Sequence, residues 1–170
     1  MNRAQKQKHF EESLERGLSF EHNVATPIIH SLYPLCSVRR AAKDPTDKNG
    51  PRAFSGAYGE IEIVLPDYEV YDPANNTRIW IDAKLKKKFY SNKKGYYLTI
   101  DTRAHKDYSF AMSTYFRHDE LYLLFGVESE KKLYMAPWNP NPETIHFNNQ
   151  YGNSDVPIYY KNQLIEIGTF

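Results

Sequence analysis

The spacing of apolar and polar side chains predicts two helices at the start of the chain. Residues 4–17 are rich in Lys, Gln and Glu, and Gly17 is a candidate end for this first helix. Ser19 then has the place of an N-cap for a second helix, FEHNVATPIIHSLY, in which apolar residues recur at helical spacing. Pro27 falls inside that segment, where a proline deforms a helix. CSVRRA follows as a candidate short strand.

The middle of the chain has mainly strand patterns. Residues 43–59 carry Pro and Gly and predict a loop. Strands are predicted over about 60–71 and 77–85, joined by the turn-rich DPANN, and KGYYLTID offers a third strand. Apolar residues at i, i+3, i+4, i+7 and i+8 predict an amphipathic helix around 104–118. ELYLLFGV is then a nearly continuous apolar strand, which we expect to be central. ESEKK is the predicted turn between this strand and the next segment, LYMAPW.

The order helix, strands, helix, strand predicts an α/β or α+β domain with a central mixed β-sheet of four to five strands flanked by helices. The length of 170 residues suits a single domain, 1–170. The last thirty or so residues are rich in Pro and Asn, and only QLIEIGTF looks regular.

Composition narrows the class of protein. No apolar run approaches the length of a membrane span, and the charged start MNRAQKQKHFEE lacks an apolar signal segment. The single cysteine, Cys36, excludes an intramolecular disulfide and a multi-cysteine zinc site. We therefore expect a cytoplasmic protein without a membrane partner. The high Asn, Lys and Tyr content is compatible with AT-rich DNA of a phage or mobile element, in a prokaryotic or phage-infected cell.

The predicted hairpin of the strands over 60–71 and 77–85 carries charged groups on one face. Side chains alternate along a strand, so Trp80, Asp82 and Lys84 share a face, together with Arg78. The opposite face, formed by Ile79, Ile81, Ala83 and Leu85, is apolar and is expected to face the core. We expect Asp82 and Lys84 to point toward a surface or cleft.

Counting back from the turn places a second aspartate opposite the first. If the loop is 73–76, Asp72 pairs with Thr77 and Asp67 lies opposite Asp82. Like charges directly opposed destabilise a sheet, and a divalent cation with oxygen ligands would offset the repulsion. A slip of one residue would instead place the two aspartates on different faces.

This arrangement suits phosphodiester hydrolysis. A metal held by two carboxylates polarises a phosphoryl oxygen and lowers the pKa of a bound water. The Lys84 ammonium could orient or help to deprotonate that water, or stabilise charge that develops on phosphorus. The plain alternative is a bend at Pro66 and a surface ion pair between Asp82 and Lys84.

The hairpin also resembles a known family. LPDYEVYD, followed after a short turn by TRIWIDAKLK, is similar to the core hairpin of the PD-(D/E)XK nuclease superfamily. Pro66 and Asp67 match the PD, and Asp82 to Lys84 match the (D/E)XK. LSFEHNVATPIIHSLYPLCSVRRA resembles the leading helix and strand, and AHKDYSFAMSTYF with ELYLLFGV resembles the trailing pair. The resemblance covers about 19–136 as a nuclease core and leaves 137–170 as a Pro/Asn-rich extension.

The resemblance implies a restriction endonuclease-like fold and a metal-dependent endonuclease that cleaves DNA, usually with Mg²⁺, for which Mn²⁺ substitutes. Asp67 and Asp82 would be the metal ligands, Lys84 the catalytic lysine and Glu21 the carboxylate of the leading helix. Glu12 and Glu15 are rivals to Glu21, which could also be a simple helix N-terminal acid. Relatives commonly carry a Gln and a Tyr on the later helix, where this chain has Lys106 and Tyr108. Many relatives act as dimers, so a homodimer is possible.

A basic segment adjoins the hairpin. KLKKKFYSNKK, over residues 84–94, holds six lysines and no acid, although the whole chain has a net charge of only +1. Such a segment could contact DNA phosphates or could simply be a solvated strand end. The candidate phosphate contacts are Arg39, Arg40, Lys86, Lys87, Lys88, Lys93 and Lys94. Tyr90, Tyr96 and Tyr97 interleave with these lysines and could stack on bases or pack structurally.

Two functions from different classes follow from these residues. The first is a Mg²⁺-dependent DNA endonuclease. The second is a catalytically inactive protein on the same fold that binds nucleic acid or a protein partner through its basic edge. Metal-dependent cleavage distinguishes the two.

Overall fold

The computed structural model of the chain describes residues 3–41, 65–149 and 152–170. The predicted loop over 43–59 and the first residues of the strand predicted over 60–71 lie outside these ranges.

Helices occupy the start and the middle of the chain, and strands fill most of the rest. The helical elements are α1 (Arg3–Phe20), a π-helical segment (Glu21–Ala25), α2 (Thr26–Leu32), α3 (Thr102–Thr114) and a 3-10 turn (Lys161–Gln163). The described ranges contain the strands β1 (Ser37–Arg40), β2 (Tyr68–Asp72), β3 (Thr77–Lys86), β4 (Tyr90–Asn92), β5 (Gly95–Thr99), β6 (Glu120–Val127), β7 (Lys132–Pro137), β8 (Thr144–Asn149), β9 (Gly152–Tyr160) and β10 (Ile165–Thr169).

Within the described residues, the strands form a six-stranded mixed sheet and a second sheet of four strands. The order in the main sheet is β1-β2-β3-β6-β7-β10, and only β3 and β6 run parallel among these described pairs. The crossover between these parallel neighbours contains α3, as parallel pairing requires. The second sheet has the order β4-β5-β9-β8 and is antiparallel throughout. The predicted α+β class and central mixed sheet are confirmed, with more strands than the four to five expected.

Three apolar clusters hold the layers together. The N-terminal helices pack on one face of the main sheet through Phe20, Ala25 and Ile29. Helix α3 covers the hairpin on the other face through Tyr108 and its neighbours, and the second sheet covers β6 and β7 on that same side. Among the described residues, no helix is both long enough and apolar enough to cross a membrane.

The N-terminal helix does not break where the sequence indicated. Gly17 lies inside α1, and Ser19 is a helical residue and not an N-cap, so those two predictions are wrong. The helical path continues through the π-helical segment into α2, where Pro27 stands in the first turn. Packing explains the difference, because the buried Phe20 ring ties the residues after Gly17 to the sheet.

The C-terminal region contains more secondary structure than its Pro- and Asn-rich sequence predicts. The expectation that only QLIEIGTF is regular there is wrong, since β8 and β9 also form and pair with each other. Strand β10 pairs with β7 and is the edge of the main sheet. Strand β9 also pairs with β5 and β10 pairs with β7, and local propensity does not report such partners distant in sequence.

Gly126 in β6 is required by a close approach of α1. A Cβ at this position would lie 2.3 Å from Cε2 of Phe20, which is too short for any real contact. We expect Gly126→Ala to lower the free energy of unfolding by about 1–3 kcal/mol, the usual cost of overpacking. Gly17→Ala is the matched control, because a Cβ there meets nothing within 4 Å. It should raise stability by about 0.5–1 kcal/mol, since alanine favours a helix interior. Urea denaturation of both variants checks the pair, and equal effects would contradict it.

Candidate active site

The hairpin of β2 and β3 has the predicted register. Asp72 pairs with Thr77, and the ladder runs to the pair Tyr68 and Ile81. Asp67 precedes β2 by one residue, so the next position along β3 is Asp82. The predicted alternation also holds, because Ile81 and Ala83 belong to the core beneath the N-terminal helices.

Lys84 and the two aspartates come together on the face opposite that core. The Lys84 ammonium donates a hydrogen bond to Oδ1 of Asp82 at 2.8 Å. The same nitrogen lies 3.9 Å from Oδ2 of Asp67. The backbone N–H of Ala83 donates to that Oδ2 at 2.8 Å, which ties Asp67 to β3. A single amine therefore lies within ion-pair distance of both carboxyl groups.

Helix α3 closes the site over Asp82. The Tyr108 hydroxyl donates to Oδ1 of Asp82 at 2.6 Å, and both side chains are buried. The prediction for Asp82 and Lys84 is a surface or a cleft. The surface is wrong for Asp82, which is 0% exposed beneath helix α3, whereas Lys84 is partly exposed. Its second oxygen, Oδ2, is buried and has no hydrogen-bond partner among the described residues. A buried carboxylate oxygen without a donor is costly, and it marks the place where a ligand would be most stabilising.

The buried carboxyl of Asp67 is hard to ionise without a further cation. Burial raises the pKa of Asp67 to about 8, even though the neighbouring Lys84 ammonium lowers it. Asp82 and Glu21 add to the rise, because each places negative charge near the carboxyl. Near neutral pH, the metal-free site therefore holds a proton that a divalent cation would displace.

Lys84 and Tyr108 keep their protons. Burial lowers the pKa of the Lys84 ammonium, but the Asp82 and Asp67 carboxylates outweigh it, so the pKa lies above the ordinary value. Burial, with Asp82 nearby, raises the pKa of Tyr108 well above 10. Lys84 is therefore a cation in this site, and the Tyr108 phenol remains a hydrogen-bond donor.

The donor set fits a hard divalent cation. Mg²⁺ is bound through one or two carboxylates and keeps several waters, and Asp67 and Asp82 supply the carboxylates here. Within residues 3–41, 65–149 and 152–170, no group of three or more His, Cys, Asp or Glu side chains could hold a metal. The set is thus unlike the closed three- or four-ligand sites of zinc. A cation here would complete its shell with water or a substrate phosphate.

Glu21 lies near the aspartates but is held by another partner. Its carboxylate forms an ion pair with the Arg40 guanidinium. Its effect on the pKa of Asp67 and of Lys84 places its charge close to both. Glu21 begins the π-helical segment, where its backbone carbonyl accepts hydrogen bonds from the hydroxyls of Thr26 and Tyr68. Such segments occur often at functional sites.

The predicted phosphate contacts fall into different surroundings. Arg39 forms an ion pair with the buried Glu69, and Lys94 lies 2.7 Å from Glu143. Lys87, Lys88 and Lys93 are exposed and form no ion pair with any residue that the structure describes. Lys86 is half-buried, and burial together with Lys84 lowers its pKa to about 8.

Two residues on the Asp82 face are structural. Trp80 is buried against Phe116, and its ring N–H donates to Asp119 at 2.8 Å. Arg78 lies 2.6 Å from Glu69. The polar partners of both side chains are Asp119 and Glu69, outside the pair of aspartates at the site. Tyr108 does contact the site, through Asp82. The charged residues of the hairpin did not indicate it. The resemblance did, because relatives commonly carry a Tyr at this place on the later helix, and a buried tyrosine hydroxyl needs a partner.

The chain is similar to a solved structure but matches no family model. No family model matches the chain, and no curated protein sequence matches it. Among solved structures, the chain is similar to Hjc, a Holliday junction resolvase from the archaeal hyperthermophile Archaeoglobus fulgidus. The TM-score is 0.49 and the sequence identity 13%, over 89% of this chain and 92% of that one. Because both values are low, the function proposed below depends on the side chains of the site.

Proposed function

We propose that the chain is a nuclease that hydrolyses phosphodiester bonds in DNA and depends on Mg²⁺ held by Asp67 and Asp82. The main support for this proposal is that the carboxyl groups of Asp67 and Asp82 lie beside the Lys84 ammonium, while Oδ2 of Asp82 has no hydrogen-bond partner among the described residues. The match of Asp67, Asp82 and Lys84 to the PD-(D/E)XK motif supports the same reading. Mn²⁺ is expected to substitute, because it accepts the same oxygen ligands.

The side chains of the site have different roles in this proposal. When bound, the cation supplies a polarised phosphoryl oxygen and a more acidic water. Lys84, charged because its pKa is raised, stabilises negative charge that develops on the phosphoryl group. A lysine acting as a general base would need a lowered pKa, so charge stabilisation is the role that its surroundings favour. Tyr108 holds the Asp82 carboxylate in one orientation through its hydrogen bond.

The exposed lysines would hold the substrate backbone. Lys87, Lys88 and Lys93 follow the site along the chain and remain available for phosphates. Each phosphate that they neutralise releases counterions, so binding should weaken as salt rises. Arg40 is a poorer candidate, because its guanidinium is engaged by Glu21.

A binding protein without catalysis is the second candidate. The complete burial of Asp82, with Lys84 and Tyr108 both bonded to its Oδ1, favours it. In such a protein the amine would replace the metal as the permanent counterion of the carboxylates. The basic segment would then bind nucleic acid without cutting it.

Cleavage in the presence and absence of metal separates the two candidates. Labelled linear duplex, four-way junction, single-stranded DNA and supercoiled plasmid are incubated with millimolar Mg²⁺ or Mn²⁺, or with EDTA. We expect cleavage of at least one substrate with either metal, none in EDTA, and recovery when Mg²⁺ is added in excess. Binding without cleavage of any substrate would support the second candidate and contradict the first.

A further inference from the structure

The second sheet presents a row of tyrosines that the proposed chemistry does not use. Tyr90 pairs with Tyr97 across β4 and β5, and Tyr97 pairs with Tyr160 across β5 and β9. Directly paired residues lie on the same face of a sheet, so the three rings form one row, here called the tyrosine row. The rings of Tyr90 and Tyr97 are 5.9 Å apart and stacked, and Tyr160 meets Tyr97 edge-on at 6.3 Å.

The tyrosine row has a buried ring, Tyr97, in the middle and an exposed ring, Tyr90, at one end. Tyr97 is 6% exposed and forms its base, whereas Tyr90, on the edge strand β4, is 48% exposed. The Tyr160 hydroxyl accepts a hydrogen bond from the Asn92 side chain, which fixes the other end of the row. Tyr90 therefore offers a large aromatic surface to solvent in an orientation that Tyr97 holds.

The charge around the tyrosine row suits an anionic partner. Of the six lysines in residues 84–94, Lys84 is bonded to Asp82 and Lys94 to Glu143, whereas Lys88 and Lys93 bracket Tyr90 along the chain. Both lysines are exposed and lack an ion pair within the described part of the chain. Aromatic rings interleaved with lysines bind single-stranded nucleic acid, because each base stacks and each phosphate meets a cation. A duplex offers its phosphates to such a surface but keeps its base faces stacked internally.

We infer that the tyrosine row, through Tyr90, binds unpaired nucleotides, and that the substrate of the proposed nuclease therefore carries a single-stranded segment. The second clause depends on the proposed function, whereas the binding itself does not. Tyr90 follows Asp82 by eight residues, so the two Cα atoms are at most about 28 Å apart. Even at the rise of about 3.4 Å per nucleotide of a stacked strand in a duplex, about eight nucleotides cover that span. A strand held at Tyr90 can thus reach the aspartates.

Binding of labelled 20-nucleotide probes in EDTA tests the inference. The probes are single-stranded DNA, single-stranded RNA of the same sequence, and the blunt DNA duplex, each followed by fluorescence anisotropy. Tyr90→Ala should raise the Kd for single-stranded DNA by about 10-fold, within the range of about 5- to 150-fold expected for one lost stack. The Kd for the duplex should change less than twofold. The RNA probe shows whether the tyrosine row accepts both kinds of strand or DNA alone.

Three further variants separate stacking from other effects. Tyr90→Phe should bind like the wild type, since stacking does not need the hydroxyl. Tyr90→Leu keeps apolar packing on Tyr97 but removes the aromatic face, so it should match Tyr90→Ala and carries the test if the alanine variant folds poorly. The sequence left Tyr96 open as a stacking residue, but it is not part of the tyrosine row, because it lies 62% exposed on the other face of the same hairpin. Tyr96→Ala is therefore the matched control for an exposed tyrosine outside the row. It should leave all affinities within twofold.

The inference is overturned if Tyr90→Leu leaves the Kd for single-stranded DNA within twofold of the wild type. It is overturned equally if the duplex loses as much affinity, or if Tyr96→Ala causes the same loss. Because binding is measured without metal, the result is independent of cleavage. A chain that binds single strands through Tyr90 but never cuts them would overturn the nuclease and leave the binding site standing.

Discussion

Asp82→Asn is expected to reduce Mg²⁺-dependent cleavage by about 10³-fold or more, because one of two metal-binding carboxylates loses its charge. The amide keeps an oxygen that can accept the hydrogen bonds of Lys84 and Tyr108, so the buried position stays filled. The new NH₂ group takes the place of the unpartnered Oδ2 and cannot bind a cation. Initial rates of cleavage of a labelled substrate, at saturating Mg²⁺, measure the loss.

The matched control for this change is Asp72→Asn. Asp72 belongs to the same hairpin but lies at its turn, where its carboxylate accepts hydrogen bonds from Ala74 and Asn75. This variant should cleave within about twofold of the wild-type rate, because it leaves the site untouched. Similar losses in both variants would mean that carboxylates of the hairpin act through folding alone, and full activity of Asp82→Asn would remove Asp82 from the site.

Asp67→Asn should make the metal-free protein more stable at alkaline pH while abolishing cleavage. The folded pKa of Asp67 is about 8, above its ordinary value of 3.8, so the folded state binds more protons than the unfolded state between these values. Wild-type stability therefore falls as pH rises from about 4 to about 8. The asparagine carries no such charge, and its oxygen can still accept the hydrogen bond from the Ala83 N–H.

The expected difference is about 2–3 kcal/mol at pH 8.5 and close to zero at pH 4.5, well below the full linkage value because the site relaxes. Urea denaturation in EDTA at both pH values measures it. Asp72→Asn is again the control: its pKa is lowered in the fold by the Asn75 side chain, so it should add no slope between pH 5 and pH 9. Millimolar Mg²⁺ should raise the Tm of the wild type and leave that of Asp67→Asn unchanged. A wild type whose stability rises from pH 5 to pH 8 would contradict the argument.

The part of the site that is local in sequence could be predicted from the sequence. A four-residue turn and strict alternation fixed the register of β2 and β3, and this register brings Asp67 and Asp82 together beside Lys84. The mixed sheet and α3 could be predicted for the same reason, because hydrophobic periodicity reports which face of an element is buried.

What depends on distant contacts could not be predicted. Tyr108 reaches Asp82 only because β6 returns parallel to β3 and places α3 over the hairpin. The burial of Trp80 against Phe116 has the same origin. The four-stranded second sheet was missed because it depends on the pairing of β9 with β5, about sixty residues earlier in the chain. Gly17 was misread as a helix end because the anchor beyond it, Phe20, contacts a strand a hundred residues away.

The π-helical segment determines which side chains of the N-terminal helices, α1 and α2, face the main sheet. The buried residues Phe20, Ala25 and Ile29 are spaced by five and then four positions, whereas an α-helix alone would keep a spacing of three or four. One residue corresponds to about 100° of rotation, so the extra residue in this turn is what lets both halves point at the same sheet. If one residue within 22–24 were deleted, the two halves could not both face the sheet. Either the Phe20 ring would lose its contact with Gly126, or Ile29 would become exposed to solvent. The packing of both helices therefore depends on the number of residues between Phe20 and Ile29 as well as on their types.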